Sequence, residues 1–170
     1  MRTLEERLKA VEDELSIRNI AARFTDAVNE RDLASFRQLW TDDAVWEIGP
    51  PLQSRADGVE EIVALLSRLL QAEQYFMQLT HSGVIEVKGD RATARFVERE
   101  RGRGESSYYD SLAVYEDSLV READGWRKTL LSLPLPGSKS LWRRGLPSRL
   151  MRTLKKGDRH GIDSKNDRQY

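Results

Sequence analysis

Gly89-Asp90-Arg91-Ala92-Thr93-Ala94-Arg95-Phe96-Val97-Glu98-Arg99-Glu100-Arg101 is a turn followed by a strict two-residue alternation. Ala92, Ala94, Phe96, Glu98 and Glu100 share one face, and Thr93, Arg95, Val97, Arg99 and Arg101 the other, which is the period of a strand. Gly89-Asp90 joins this strand to Met77–Val87, where Met77, Leu79, His81, Ile85 and Val87 fall in phase and are expected to face an apolar interior. Downstream, Gly102–Ser106 reads as a loop, Tyr108–Glu122 as a strand, Ala123-Asp124-Gly125 as a turn and Trp126–Leu133 as a last strand. Upstream the period changes. Leu4, Leu8, Val11, Leu15, Ile20, Phe24 and Val28 recur every three to five residues as one long amphipathic helix, or two in line. Asp32 is placed to cap a short helix bearing Leu33, Phe36, Leu39 and Trp40, ended by Thr41-Asp42-Asp43. Ala44–Ile48 reads as a brief strand, Gly49-Pro50-Pro51 as a loop, and Ile62, Val63, Leu66, Leu69 and Leu70 as the apolar face of a helix after Asp57-Gly58. Helices first and an antiparallel meander after them predict an α+β domain, with helices covering one face of a curved sheet around a natural pocket.

Composition narrows the class. The chain of 170 residues, 39% hydrophobic and 33% charged, suits one domain with a sizeable core. No apolar run is long enough to span a membrane, and acids occupy the start where a signal peptide carries its apolar stretch, so a cytoplasmic protein is expected. The absence of cysteine excludes disulfides, thiolate catalysis and sulfur-ligated metals, and two distant histidines, His81 and His160, make a poor zinc site. No phosphate-binding or dinucleotide motif is present, and no cofactor or metal is called for. Residues 138–170 hold ten Lys/Arg and three Asp, a surplus of +7 that leaves the remainder at −7. Residues 1–137 therefore read as the domain and 138–170 as a basic tail. Within the tail, Leu150, Met151 and Leu154 make a small amphipathic helix over Ser148–Lys156, followed by disorder from Gly157. Such a tail can pack on an acidic surface of its own or a partner chain, and contact with an anionic membrane is a lesser alternative. Nucleic-acid binding has no motif to support it.

His81 is the foremost candidate for chemistry, since an imidazole inside an apolar pocket titrates near neutrality and can move protons. The alternative is a core histidine satisfied by its neighbours. Glu98 follows Phe96 on the inward face. If it lies in the cavity its pKa rises, and it can act as acid or base; if the strand outruns the core, Glu98 and Glu100 are solvated and pair with neighbouring arginines. Charge-rich strand ends favour the second. Tyr115 alternates with Tyr109, Ser111, Ala113 and Asp117 and suits an aromatic wall whose phenol can donate to a substrate oxygen. Trp46 can stack on a flat ligand, while Trp40 and Trp126 read as core.

Three ordered motifs carry a family likeness: Asn29–Leu33 through Leu39–Trp46, His81 with Glu86–Ala92, and Tyr115-Glu116-Asp117 through Asp124–Arg127. Together, over about residues 4–133, they resemble the SnoaL-like branch of the nuclear transport factor 2-like superfamily. The resemblance implies a cone-shaped barrel, in which a strongly curved, mixed but mostly antiparallel sheet packs on three helices around a cavity, and a homodimer through the outer face of the sheet. It also implies that Tyr115 and Ala113 face the cavity, with Trp46, Leu79, Phe96 and Glu98 as further ligand-binding positions. Dehydratases and dehydrochlorinases of that branch pair a proton-abstracting histidine with an aspartate from the first helix. His81 matches the histidine, Asn29 stands where the aspartate would be, and Leu131 stands where the dehydrochlorinases carry an arginine. The expected function is binding of a small apolar or aromatic molecule. As an enzyme the chain would act as a cofactor-independent dehydratase, isomerase or cyclase, with His81 moving protons, Asn29 orienting it and Tyr115 polarising an oxygen; the other class is a non-catalytic binding or assembly module.

Overall fold

The computed structural model describes residues 2–50, 52–105, 108–133 and 141–144. Helix α1 runs Leu4–Glu30 and begins at a capping box, in which Thr3 and Glu6 each accept the other's backbone N–H. It ends at Arg31, held in the left-handed region at φ 58°. That conformation is costly for a side chain with a Cβ, and here the Arg31 guanidinium offsets it by donating to the carbonyls of Leu70 and Glu73 (2.7 and 2.8 Å). Asp32 caps α2 (Leu33–Arg37), as expected, by accepting from the backbone N–H of Ala34 and Ser35. That helix is shorter than its apolar spacing suggested. Leu39 and Trp40 are core residues, but strand β1 (Trp40–Ile48) already begins at Trp40, and Thr41-Asp42-Asp43 lies within it. Strand β2 (Ser54–Asp57) follows, four residues that the proline loop concealed, then α3 (Val59–Gln71), β3 (Tyr75–Lys88), β4 (Arg91–Arg103), β5 (Tyr108–Glu122) and β6 (Gly125–Leu133).

The strands form one sheet in the order β2-β1-β6-β5-β4-β3. All neighbours are antiparallel except β1 and β6, so the sheet is mixed, and three helices pack on it as the α+β class requires. A short β7 (Leu141–Arg144) lies along β5 beyond the end of β6, so the sheet reaches past residue 137. The helix expected over Ser148–Lys156 and the disorder expected from Gly157 lie outside the described residues. No helix among the described residues is long and apolar enough to cross a membrane.

Two apolar clusters fill the space between helices and sheet. One joins Phe24, Phe36, Trp40, Trp46, Ile62, Leu66, Tyr115 and Leu131; the other joins Ile17, Ile20, Ala21, Phe96, Leu119 and Trp126. On β5 the first cluster ends at Tyr115 and the second begins at Leu119, leaving Asp117 between them. On β6, Lys128 is likewise placed between Trp126 and Leu131.

The β3–β4 register shifts between the pairs Thr80–Glu98 and Gly83–Phe96. His81 and Ser82 therefore oppose Val97 alone, a bulge that inverts the facing of β3. Before it the even-numbered Gln78 and Thr80 turn inward; after it Gly83 and Ile85 do. Gly83 sits so close to the Phe96 ring that an added Cβ would meet it at 2.3 Å, and Arg18 donates to its carbonyl (3.3 Å).

Candidate functional site in the sheet interior

Strict alternation on β4 carries Glu98 and Glu100 inward after Ala92, Ala94 and Phe96, and neither glutamate is solvated: Glu98 is 3% exposed. Cross-strand pairing sets Glu98 between Thr80 on β3 and Ala113 on β5, and Glu100 between Gln78 and Ser111. Thr80 Oγ1 donates to the Glu98 carboxyl, 2.8 Å from one oxygen and 3.0 Å from the other, and also contacts the Thr25 hydroxyl from α1. Burial pushes the Glu98 pKa up to about 8. Its hydrogen bond from Thr80 and the charge of Lys128 oppose that rise, whereas Glu100 and Asp117 add to it. Glu98 is thus an acid near neutrality and a base just above it.

Glu100 accepts a hydrogen bond from the Tyr115 hydroxyl. Burial raises its carboxyl too, with Tyr115 opposing. Lys128 Nζ is 2.5 Å from Asp117 Oδ2, with both side chains almost wholly buried, and also lies over the rings of Phe24 (5.0 Å) and Trp40 (5.9 Å). Burial drives the Asp117 carboxyl up and the Lys128 ammonium draws it back. Trp40 Nε1, Trp46 Nε1, Gln78 Nε2, Ser111 Oγ and Asp117 Oδ1 are buried and meet no hydrogen-bond partner among the described residues. Four of these five atoms are donors, so the interior holds more hydrogen-bond donors than its described acceptors engage. No cluster of histidine and acidic side chains that could hold a metal occurs among the described residues.

Several of the positions expected to line a pocket share the interior of the sheet. Trp46, Phe96, Glu98, Ala113 and Tyr115 are all buried on the inner face. His81 and Leu79 are not, which corrects the expectation that both point inward. His81 is exposed and Leu79 is 51% exposed, because the alternation was carried through the bulge without its change of phase. Asn29 does not orient His81 either. Its side chain holds the backbone of Gln78, accepting from the N–H (2.8 Å) and donating to the carbonyl (2.9 Å), and so covers the outer edge of β3. Glu100, expected in water with Glu98, is buried, and Lys128, Asp117 and Thr80 join the site without having been expected there. Lys128 shares the phase of Trp126, and Asp117 that of Tyr115, so the alternation held both; Thr80 required the bulge, for which Gly83 inside a strand was the signal. The interior is accordingly a mixed wall of aromatic rings and buried charge rather than a purely apolar one. An open groove of about 470 Å³ lies on the opposite, outer face, lined by Glu47, Val84, Glu86, Arg95 and Glu116 among others. Those five are outward-facing strand positions, although the buried Ala94 and Asp117 also border the groove.

Solved structures share this fold. An ntf2-like protein with a cystatin-like fold from Novosphingobium aromaticivorans is 23% identical, with TM-score 0.69, over 82% of this chain and 94% of that one. A hexachlorocyclohexane dehydrochlorinase of LinA type 2 is 17% identical, with TM-score 0.71, over 83% and 95%. The LinA-type3 dehydrochlorinase from Novosphingobium barchaimii is 16% identical, with TM-score 0.70, over 83% and 97%. At these identities the likeness speaks for the fold alone. No curated protein matches the chain. Residues 9–131 match the SnoaL-like domain, and with that match across most of its length the chain belongs to the SnoaL-like family, a branch of the nuclear transport factor 2-like superfamily.

Proposed function

We propose that the protein binds a small, largely aromatic molecule bearing a carbonyl or hydroxyl oxygen in the interior of the sheet, and that it moves a proton on that molecule with Glu98. The observation that carries this reading is a carboxyl 3% exposed, held by Thr80 and shifted to about 8, which suits a group that must both give and take a proton near neutral pH. Phe24, Trp40 and Trp46 supply flat apolar surface. Lys128 favours negative charge developing beside them, and Tyr115 with Glu100 forms a second proton-bearing pair. Dehydration, isomerisation and aldol-type cyclisation all reduce to removing a proton next to a carbonyl and returning one elsewhere, and side chains alone suffice for this. Glu98 replaces His81 as the base, and Asn29 serves the fold rather than the chemistry. The outer sheet face, where Leu79, Val84 and Val97 are exposed, supports a homodimer through that surface.

The test is hydrogen–deuterium exchange at the carbon next to the carbonyl of an enolisable aryl ketone, followed by NMR. Wild-type protein is expected to speed exchange with a rise in rate around pH 8, and Glu98→Gln to reduce that speed by about 10²–10⁴-fold while the ketone still binds. Binding with no acceleration by either protein would instead support the non-catalytic binding module. The clamp of Asn29 on Gln78 favours that second reading, because it leaves the chain without the histidine dyad of the family's dehydratases.

A further inference from the structure

Helix α1 carries two apolar faces. Ile17, Ile20, Ala21, Phe24, Ala27 and Val28 pack on the sheet, and Asp13, the first buried residue, joins them through Arg121 and Trp126. Leu4, Leu8, Val11 and Leu15 do not continue that face. At about 100° per residue they gather on the opposite side of the helix, pointing away from the body. Their exposures are 77%, 55%, 63% and 57%. Isolated exposed apolar side chains are ordinary, but four in one row along three turns are not.

We propose that this outward stripe is a docking surface for a second copy of the chain, paired as a short parallel coiled coil. The spacing of four, three and four residues is that of heptad positions d, a, d and a. In a parallel, in-register pair, Arg7 at g faces Glu12 at e of the other chain, and the pair occurs twice by symmetry. Among the described residues neither Arg7 nor Glu12 has an ion-pair partner, whereas Lys9 and Glu14 are engaged by Asp13 and Arg18. Glu14 would face Asn19, so no like charges meet. The antiparallel arrangement would set Glu5 against Glu12, which disfavours it.

The seam is short, and a free peptide of this length would not hold. Here the helix is already formed, fixed by the packing of Ile17–Val28 and started by the Thr3–Glu6 capping box, so association does not bear the cost of folding it.

The chain has no cysteine, so Leu8→Cys and Ala10→Cys each install a single thiol in the full-length protein. Both sites are exposed and outside the core, and unchanged circular dichroism verifies the fold. Under mild oxidation, Leu8→Cys is expected to give covalent dimer about tenfold faster than Ala10→Cys, which points away from the seam. Adding Arg7→Glu should slow the Leu8→Cys cross-link several-fold, and adding Glu12→Arg as well should restore it. Equal rates for the two thiols would overturn the proposal, as would a Leu8→Cys rate indifferent to both charge changes. Dimerisation through the outer sheet face cannot produce the expected pattern, because neither thiol lies on that face.

Discussion

Glu98 and Tyr115 stand in the interior where their chemistry was expected, whereas Asn29 and His81 do not. A polar side chain near the end of a helix is open to two uses, and the backbone of an edge strand is the more demanding partner. Asn29→Ala would leave the Gln78 N–H and carbonyl without their two partners, at a cost of about 1–3 kcal/mol read by urea denaturation. His81→Gln should alter stability by no more than about 0.5 kcal/mol and leave any proton-transfer activity intact, because an exposed outer-face side chain has little to lose. A large activity loss in His81→Gln would show that the outer face takes part. For Glu98 the same strand rule that misled on β3 was right. The alternation on β4 meets no bulge, so Glu98 follows Ala92, Ala94 and Phe96 inward, and the expectation that charge would keep it in water failed because the sheet's interior is itself polar at that depth.

At the level of elements, helices and strands were readable wherever one period persisted. α1, α3, β4, β5 and β6 follow from spacing alone. The errors cluster where periods collide: Leu39 and Trp40 fit a helical row with Phe36 yet open β1, and β2 is too short to establish an alternation of its own. In α1 two opposed apolar faces resemble one continuous pattern when only intervals are counted, and their separation appears once each residue's burial is known. The β3 bulge depends on Gly83, whose missing side chain lets the Phe96 ring lie against the backbone. Gly83→Ala would push its Cβ into that ring and to 2.7 Å from the Arg95 carbonyl. The expected result is a loss of about 1–3 kcal/mol in denaturation. Unchanged stability would mean that β3 and β4 can part there without cost.

Across the whole molecule, the buried carboxyls dominate the response to pH. The folded pKa of Glu98, Glu100 and Asp117 is raised in each case, chiefly by burial, so between their unfolded pKa near 4 and their folded values the native state binds more protons than the unfolded state. Stability therefore falls as pH rises through that window; for Glu98 it extends from roughly 4 to about 8. Asp13 works in the opposite sense at low pH. Its bond with Arg121 holds it at about 2, so the stability it supplies is lost only as pH falls from near 4 through 2. Urea denaturation should find the protein more stable at pH 5 than at pH 8, with Glu98→Gln reducing the difference by an amount on the order of 1 kcal/mol or more. A wild-type protein equally stable at both pH values would contradict the raised carboxyls. These buried charged groups are the part of the molecule least legible from one sequence, because burial and charge are set by which strands become neighbours.

The most direct measurement is a carbon-13 NMR titration of glutamate side-chain carboxyls in the ligand-free protein, with Glu98→Gln identifying its signal. A Glu98 carboxyl that titrates near pH 8 would establish the interior acid on which the proposed chemistry rests. Titration near the ordinary value of about 4.3 would place Glu98 in contact with water and remove the basis for proton transfer by this residue.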